Sequence, residues 1–411
     1  MLNKSFVSST FASGLDLVLK TLTSFFLSVY IARTFGMEKF SIFTLGLSAQ
    51  VILSQLVRYG MQELLLREMC AKKRIGVMNS YYSILILNSF VVIALFCILY
   101  FIFREQGNYI VIFIIGLRSI FFSDLLFKNN YYSKQEIVKF HFLSGLTSLG
   151  YIAVLVSGIL LDLSFVWFSL LIISDVLIFY ILFKFWTKKI NFNFNFNFNS
   201  NIYLSYKYCL PMFLSSLTVV LYMNLDRWML FYQIDNSAVA LYGTAYRINS
   251  VAFQLIPIVL GVITPIIFSS MPKQEYDKKI GPTLFLLSLV STALMYLISP
   301  MLIVTFFGDE FIDAVDVSRA LCLLIMLVFW GSFLGIYLIR DDNLLLSLKL
   351  NSLVLVINVM LNLLLIPIYG VLGAVYATLL SGVLSFTYLM IKNEEYWDLF
   401  KNYINLKCII G

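Results

Sequence analysis

Charged residues are scarce in this chain. Only 12% of its 411 residues are Asp, Glu, Lys or Arg, whereas 61% are hydrophobic. A water-soluble globule of this length needs far more charge on its surface than that. The composition therefore excludes a soluble protein and predicts an integral membrane protein.

Residues that carry catalysis or bind metals are also few. The chain has one histidine and five cysteines, and the cysteines lack the spacing of metal ligands. No glycine-rich phosphate loop with a lysine occurs, so nothing indicates ATP use or another cofactor. The outer connections are too short for the catalytic loop of a membrane glycosyltransferase or polymerase. We therefore expect a protein that is not an enzyme. We expect His141, beside Lys139 at the inner end of a helix, to be an interfacial residue rather than a base.

Long apolar runs, in contrast, fill the chain. A helix needs roughly 20 apolar residues to cross the hydrocarbon layer, and twelve runs meet that length. They predict an all-α integral membrane protein with twelve transmembrane helices in two six-helix bundles around a central cavity. The predicted spans are residues 8–32, 39–57, 80–103, 108–127, 140–161, 164–185, 208–232, 239–268, 281–306, 314–338, 344–366 and 371–391. The predicted domains are an N-terminal bundle (1–190), a cytoplasmic linker (191–207), a C-terminal bundle (208–392) and a cytoplasmic or interfacial tail (393–411).

The basic residues predict the orientation of these spans. Those on the outer connections are only Arg33, Lys39, Arg104 and Arg319. Short cytoplasmic loops retain Lys and Arg, so both termini are expected inside. The net charge of +7 follows from this bias and requires no nucleic-acid partner. The start of the chain lacks a cleavable signal peptide, so the first helix is expected to remain as a span.

Three segments outside the spans have patterns of their own. Residues 61–72 alternate apolar and charged faces, as in a helix lying on the inner membrane surface. Residues 191–199 alternate Asn and Phe and are interpreted as a variable linker, or alternatively as an aromatic strip for sugar stacking. A helix is also predicted in the tail, with one apolar face formed by Tyr396, Trp397, Phe400, Tyr403 and Ile404. Finally, residues 158–169 and 364–376 are predicted to be tight outer turns between antiparallel spans.

Ionisable residues at membrane depth mark candidate functional positions. Each costs about 2.5–3.5 kcal/mol to insert, so those that persist face a wet cavity or a partner. The cations are Lys20, Arg118, Arg227 and Arg247, and the carboxylates are Asp16, Asp124, Asp175 and Asp226. Four buried cations suit an anionic phosphate better than a purely hydrophobic drug, because guanidinium groups bind phosphate oxygens bidentately.

The first-half charges allow pairing as well as function. Asp16 and Lys20 lie four residues apart on one helical face, where they form either a self-neutralising pair or a pair that lines a lumen. Arg118 and Asp124 point about 120° apart on an ideal helix, so each needs a partner on another helix. Asp124 could instead sit at the inner interface. Asp175 is the most isolated carboxylate, either a proton carrier or a partner for an arginine.

The second-half charges leave two alternatives open. Asp226 and Arg247 could form a salt bridge across a helical hairpin, or Arg227 or Arg247 could meet an anionic substrate. Pro257 and Pro265 are expected to kink or loosen the eighth span, either for gating or for packing alone.

Two stretches carry a family resemblance. The first is an R-x-x-G corner at Arg33–Gly36, and the second combines Asp226-Arg227 with Tyr242 and Ala245-Tyr246-Arg247. The chain resembles the polysaccharide flippases of the multidrug/oligosaccharidyl-lipid/polysaccharide exporter superfamily, in particular the O-antigen repeat-unit group. The corner continues as Phe40-Ser41 where tyrosine-glycine is commoner. Asp226, Arg227 and Arg247 match the family pattern, whereas the other five charges rest on burial alone.

The resemblance implies a specific activity. The protein would move an undecaprenyl-pyrophosphate-linked oligosaccharide from the inner to the outer leaflet of the bacterial inner (cytoplasmic) membrane by alternating access, in O-antigen and lipopolysaccharide biosynthesis. The four cations would bind substrate, and the four carboxylates would orient them or carry coupling protons. Its partners would be that glycan lipid, membrane lipids, and a polysaccharide polymerase with chain-length proteins. The alternatives are an ion-coupled drug or metabolite antiporter of the same superfamily and a membrane glycosyltransferase or polymerase.

Overall fold

The fold is all-helical, as predicted. The computed structural model describes residues 4–60, 83–94, 97, 109–121, 127–128, 131–132, 134, 136–186, 200–268, 273–341 and 343–405, and it contains no strand within these ranges. The predicted surface helix at 61–72 and the Asn-Phe segment at 191–199 lie outside the described residues.

Fourteen helices are numbered here in chain order over the described residues. They are α1 (Lys4–Arg58), α2 (Ser83–Ala94), α3 (Tyr109–Leu117), α4 (Ile137–Leu160), α5 (Phe165–Leu171), α6 (Ser174–Trp186), α7 (Ser200–Gln233), α8 (Asn236–Phe253), α9 (Leu255–Phe268), α10 (Lys273–Leu302), α11 (Ala314–Arg340), α12 (Leu344–Tyr369), α13 (Val371–Lys392) and α14 (Glu394–Ile404). Short irregular turns of helix occur at Arg118–Ile120, Ile303–Phe307 and Asp309–Phe311.

Eight helical stretches of the described chain are long and apolar enough to cross a membrane. The first, Phe11–Arg58, has 48 residues, about twice the length that one crossing needs. Gly36 interrupts it with φ 80° and ψ 175°, between the predicted spans 8–32 and 39–57. Two shorter apolar helices are Ser83–Ala94 and Ile110–Ile120. The number of twelve spans and their grouping around a central cavity stay predictions.

The predicted eighth span, 239–268, consists of two helices. α8 ends at Phe253 and α9 begins at Leu255. Pro257 lies in the first turn of α9, where its missing N–H costs no helical hydrogen bond. The expected interruption is thus confirmed near Pro257, whereas α9 continues through Pro265 to Phe268.

Asp235 begins α8 as its N-cap. Its Oδ1 accepts hydrogen bonds from Ser237 Oγ at 2.7 Å and from the Ala238 N–H at 2.8 Å. Side-chain oxygens at this position satisfy N–H groups that have no partner inside the helix. The Ser237 hydroxyl and then the Ala238 N–H hold the pKa of Asp235 below its ordinary value.

The chain forms two compact units. The first contains residues 1–27 and 42–220, and the second contains residues 28–41 and 221–411. The divisions fall within α1 and α7, so each of these helices contributes to both units. The predicted domain limits and the linker at 191–207 stay predictions.

An aromatic core holds α4 and α6 together in the first unit. It consists of Phe127, Tyr131, Phe140, Leu143, Phe179 and Phe183. The rings of Phe179 and Phe183 stack with their centroids 4.2 Å apart, and Phe140 lies 5.4 Å from Phe183. Offset and edge-to-face ring pairs add stability beyond the burial of their area. This packing fixes the helices that carry Ser144 and Asp175.

The R-x-x-G corner belongs to the second unit. Arg33 donates from Nε to the Phe306 carbonyl oxygen and from Nη2 to the Thr305 carbonyl oxygen, both at 2.6 Å. These carbonyls lie in the π-helical turn Ile303–Phe307, where the ordinary helical pairing is interrupted. The corner therefore anchors the end of α10.

Both predicted outer turns are tight hairpins. α4 and α5 are separated by residues 161–164, with Asp162 at φ 46°, and α12 and α13 by Gly370 alone, with φ 59°. Past the second turn, a Cβ on Gly373 would overlap the Leu365 carbonyl. Glycine therefore permits the close approach of α12 and α13 there.

The predicted tail helix is present as α14. Tyr396, Leu399 and Tyr403 are buried, and the Tyr403 ring contacts Trp330 and Phe333 of α11. The buried face is narrower than predicted, because Trp397 and Ile404 are exposed.

Candidate functional site

A polar cavity lies within the first unit. α1, the turn at residues 118–121, α4 and α6 enclose a volume of about 380 Å³. Its charged and polar lining residues are Lys20, Thr23, Ser24, Gln50, Ser54, Arg58, Arg118, Ser119, Ser144, Thr147, Ser148, Tyr151 and Asp175. Its walls also include the aromatic rings of Phe43, Phe121 and Phe179.

Lys20 reaches this cavity from α1. Its Nζ donates to Asp16 Oδ2 at 3.1 Å and to Ser144 Oγ at 2.6 Å, and its side chain is 49% exposed. Asp16 is buried and does not line the cavity. The expected Asp16–Lys20 pair therefore forms, and its lysine also faces the cavity. The two interpretations of this pair are compatible.

Arg118 and Asp175 meet across the same cavity. Arg118 lies directly after α3, and Asp175 lies in the first turn of α6. The guanidinium group of Arg118 forms a salt bridge with the Asp175 carboxylate. Arg118 thus has the partner on another helix that its isolation predicted, and Asp175 is a partner for an arginine. Asp124, predicted with them, lies outside the described residues.

Arg58 adds a third cation, which is not among the four candidate cations predicted from the sequence. It occupies the last turn of α1 and lines the cavity with Lys20 and Arg118. Among the described lining residues, Asp175 is the one carboxylate. Because apolar walls focus the field of such charges, the cavity carries a positive potential. Its volume is in the range of small-molecule sites.

Asp226 lies in the second unit and is only 1% exposed. Its Oδ2 accepts hydrogen bonds from Tyr242 Oη and Thr378 Oγ1, and its Oδ1 accepts one from Asn362 Nδ2, each at 2.8 Å. Asn362 also donates to Asn358 Oδ1 at 3.0 Å. Neutral donors from α8, α12 and α13 therefore hold this carboxylate, so the alternative in which Asp226 pairs with Arg247 is not the arrangement around Asp226. Periodicity within α7 could not indicate donors that come from other helices.

Arg227 is adjacent to Asp226 in the sequence, but its side chain contacts different residues. It is 7% exposed, donates from Nη1 to Asn224 Oδ1 at 2.6 Å, and places its guanidinium 4.4 Å from the Tyr246 ring centroid. Such stacking suits the planar guanidinium group. Arg247 follows Tyr246 on α8 and is half-buried. Neither arginine lines the cavity of the first unit, so their substrate contact stays a prediction.

His141 is not simply interfacial. Its side chain is 10% exposed, its Nδ1 lies 2.8 Å from Asp16 Oδ2, and its Nε2 lies 3.0 Å from Tyr132 Oη. The histidine therefore shares the carboxylate that holds Lys20. No sequence signal connected His141 to Asp16, because 125 positions separate them. Within the described ranges, no three His, Cys, Asp or Glu side chains converge as metal ligands do.

Comparison with known families decides the identity. A family model described as polysaccharide biosynthesis protein matches residues 6–271, well over half of the chain. The chain belongs to the polysaccharide biosynthesis protein family. No curated protein matches this family member in sequence.

Solved structures similar to this family member include membrane transporters and a flippase. An inward-facing multidrug resistance MATE family transporter of the MOP superfamily has a TM-score of 0.70 at 13% identity, over 93% of this chain and 95% of that one. The lipid II flippase MurJ in an inward closed conformation has a TM-score of 0.71 at 16% identity, over 98% and 91%. A MOP superfamily transporter from Pyrococcus furiosus Vc1 has a TM-score of 0.68 at 14% identity, over 95% of both chains.

At these identities the likeness establishes the fold. The family member has the all-helical MOP transporter fold and is a multi-pass membrane protein. These neighbours are transporters or flippases, in agreement with the expectation that the chain is not an enzyme.

Proposed function

We propose that this protein is a flippase for an undecaprenyl-pyrophosphate-linked oligosaccharide, an O-antigen repeat unit, which it moves from the inner to the outer leaflet of the bacterial inner membrane by alternating access. The observation that carries the proposal is the cation-lined cavity of the first unit, in a member of the polysaccharide biosynthesis protein family. Both termini would be cytoplasmic.

The charges of the cavity suit a pyrophosphate. Among the described lining residues, the cations Lys20, Arg58 and Arg118 outnumber the carboxylate of Asp175, so an entering dianion gains more attraction than repulsion. Arginine stays charged and offers paired N–H donors to phosphate oxygens. The pyrophosphate would be held between these three cations while the lipid and glycan extend away from them.

The neutral lining suits a glycan next to the pyrophosphate. Ser24, Ser54, Thr147 and Ser148 offer hydroxyl groups, which donate and accept hydrogen bonds as sugar hydroxyls do. Aromatic rings such as Phe121 offer flat apolar faces. In this proposal the cavity keeps polar sugars hydrated or hydrogen-bonded, because the hydrocarbon layer provides no partners for them.

The predicted charges of the second unit would act at other steps of transport in this proposal. Arg227 and Arg247 of the second unit would take over the anion at another stage of transport, and Asp226 would orient the helices around them. A polysaccharide polymerase and chain-length proteins would use the exported unit.

Deletion of the gene tests the activity, and cavity variants test the site. In a strain without a second flippase, deletion should trap single lipid-linked repeat units in the inner leaflet and remove surface polymer. Arg118→Gln should restore export poorly at a normal protein level. Lys401→Gln is the matched control, because Lys401 is exposed and its ion pair with Asp398 lies on α14. Normal surface polymer in the deletion strain would refute the activity. Full export by Arg118→Gln would refute the site.

An ion-coupled drug or metabolite antiporter is the second candidate. The multidrug transporter whose fold matches over 93% of this chain favours it. The excess of cations in the cavity disfavours cationic drugs. Resistance to cationic dyes on expression, together with unchanged surface glycan after deletion, would select this alternative.

A further inference from the structure

Three titratable groups of the first unit form a chain that ends in the cavity. His141 Nδ1 contacts Asp16 Oδ2 at 2.8 Å, and the same oxygen accepts from Lys20 Nζ at 3.1 Å. Lys20 lines the cavity, whereas Asp16 and His141 lie behind it. Asp16 Oδ1 is buried without a hydrogen-bond partner. One carboxylate oxygen is therefore shared between a cavity cation and a histidine.

Within the described part of the first unit, the neighbouring charged groups have partners of their own. On the opposite edge of the imidazole, Tyr132 Oη lies 3.0 Å from Nε2, and Lys128 Nζ lies 5.4 Å from the Tyr132 ring centroid. On α4 itself, Lys139 pairs with Glu136 at 2.9 Å. On α6, Asp175 pairs with Arg118, and Lys184 lies over the Tyr180 ring. Helix α5 carries no titratable side chain.

The geometry assigns donor and acceptor roles in the neutral ring. A carboxylate only accepts, so Nδ1–H donates to Asp16, and Nε2 accepts from the Tyr132 hydroxyl. A proton from solvent can enter at Nε2, because the Tyr132 hydroxyl can rotate and accept the new N–H instead. The site thus has hydrogen-bond partners for both protonation states of His141.

An anion bound at Lys20 competes with Asp16 for the lysine ammonium group. As Lys20 turns to the anion, it leaves a buried carboxylate without its cation, which is costly in a dry environment. A proton on His141 replaces the lost charge at the same oxygen. We propose that His141 is a positioning residue whose protonation releases Lys20, so that anion binding in the cavity is coupled to the uptake of one proton. The inference rests on the proposed function, because it assigns the cavity an anionic ligand.

Calorimetry with a probe of constant charge tests this coupling. Citronellyl pyrophosphoryl N-acetylglucosamine is a pyrophosphate diester, so it lacks the phosphate ionisation that occurs near neutral pH. Its binding to the purified full chain is measured between about pH 5.5 and about pH 8, in two buffers of different ionisation enthalpy. For the wild type we expect affinity to rise as the pH falls, by up to about tenfold per pH unit, with about one proton taken up.

Two variants separate His141 from its surroundings. His141→Gln should bind the probe with an affinity that no longer depends on pH, whereas Lys139→Gln should behave as the wild type. Lys139 lies two residues away and is 63% exposed. If His141→Gln does not fold, His141→Asn takes its place, and a wild type that binds the probe without taking up a proton overturns the coupling in either case.

The outcomes distinguish the two proposals. Binding of the probe without proton uptake, or proton uptake retained in the His141 variants, overturns the coupling and leaves the flippase proposal standing. Absence of binding by both the wild type and Lys139→Gln at every pH overturns the anionic ligand itself. Proton uptake that is lost only in the His141 variants supports the coupling.

Discussion

Replacement of Asp226 by alanine tests the buried network of the second unit most directly. The substitution removes the acceptor of three hydrogen bonds, from Tyr242, Asn362 and Thr378, each 2.8 Å long. All three donors are buried in a site whose carboxylate is 1% exposed. Asn362 would keep its hydrogen bond to Asn358 Oδ1 at 3.0 Å, and Thr378 could still donate to the Ala374 carbonyl oxygen at 3.1 Å.

The expected loss follows from the number of hydrogen bonds that the substitution removes. A typical hydrogen bond contributes about 1 kcal/mol net, which gives about 3 kcal/mol for the three. Hydrogen bonds inside membrane proteins average about 0.6 kcal/mol, which lowers the sum to about 2 kcal/mol. We therefore expect Asp226→Ala to reduce the free energy of unfolding by about 2–3 kcal/mol.

Equilibrium unfolding of the purified protein in mixed micelles measures this loss. Asp398→Ala is the control, because Asp398 is exposed and its salt bridge with Lys401 should contribute less than about 1 kcal/mol. Thr378→Val combined with Asp226→Ala should cost less than the two single changes together, since both remove the same hydrogen bond. A loss below about 1 kcal/mol for Asp226→Ala, or strict additivity of the pair, would refute the network as a source of stability.

Three further predictions concern the cavity, a hairpin and a helix cap. Asp175→Asn should tighten binding of a pyrophosphate diester about threefold to tenfold, because it frees Arg118, whereas Arg118→Gln should weaken it about tenfold or more. Calorimetry measures both affinities, and a change in the same direction in the two variants would contradict the proposed roles of Arg118 and Asp175. Gly373→Ala should lower the midpoint of thermal unfolding by several degrees, because its Cβ meets backbone, whereas Gly335→Ala should not, because its Cβ meets open space. Asp235→Ala should cost about 1 kcal/mol at neutral pH. Hydrogen bonds from the Ser237 hydroxyl and the Ala238 N–H hold the pKa of Asp235 below its ordinary value of 3.8. This stabilisation is therefore present above that value and is lost as the pH falls through the lower, folded-state pKa. Denaturation at about pH 7 and about pH 3 should show that acid lowers the free energy of unfolding less in Asp235→Ala than in the wild type.

Local features of the chain were predictable from the sequence. Apolar runs and their breaks predicted helices, the interruption near Pro257 and the tight turns within 158–169 and 364–376, because each depends on neighbours within a few residues. The Asp16–Lys20 pair was predictable for the same reason, since residues four apart share a helical face.

Partners that come from distant helices could not be predicted from the sequence. Arg118 and Asp175 were each expected to need a partner, but 57 positions separate them, and no local sequence pattern indicated that they pair with each other. The donors of Asp226 include Asn362 and Thr378, which lie 136 and 152 positions away. A small polar residue inside an apolar helix gives no sign of which helix it will face.

The sequence by itself determined the class of this protein, because membrane insertion depends on length, hydrophobicity and charge along each segment. Those quantities also identified which charges are costly and therefore meaningful. Only the tertiary structure decided which side chains contact Asp16, Lys20, Arg118, Asp175 and Asp226, because hydrogen bonds and ion pairs depend on which helix faces meet. It placed Arg58 in the cavity beside Lys20, and it put His141 behind Lys20 on the same carboxylate of Asp16.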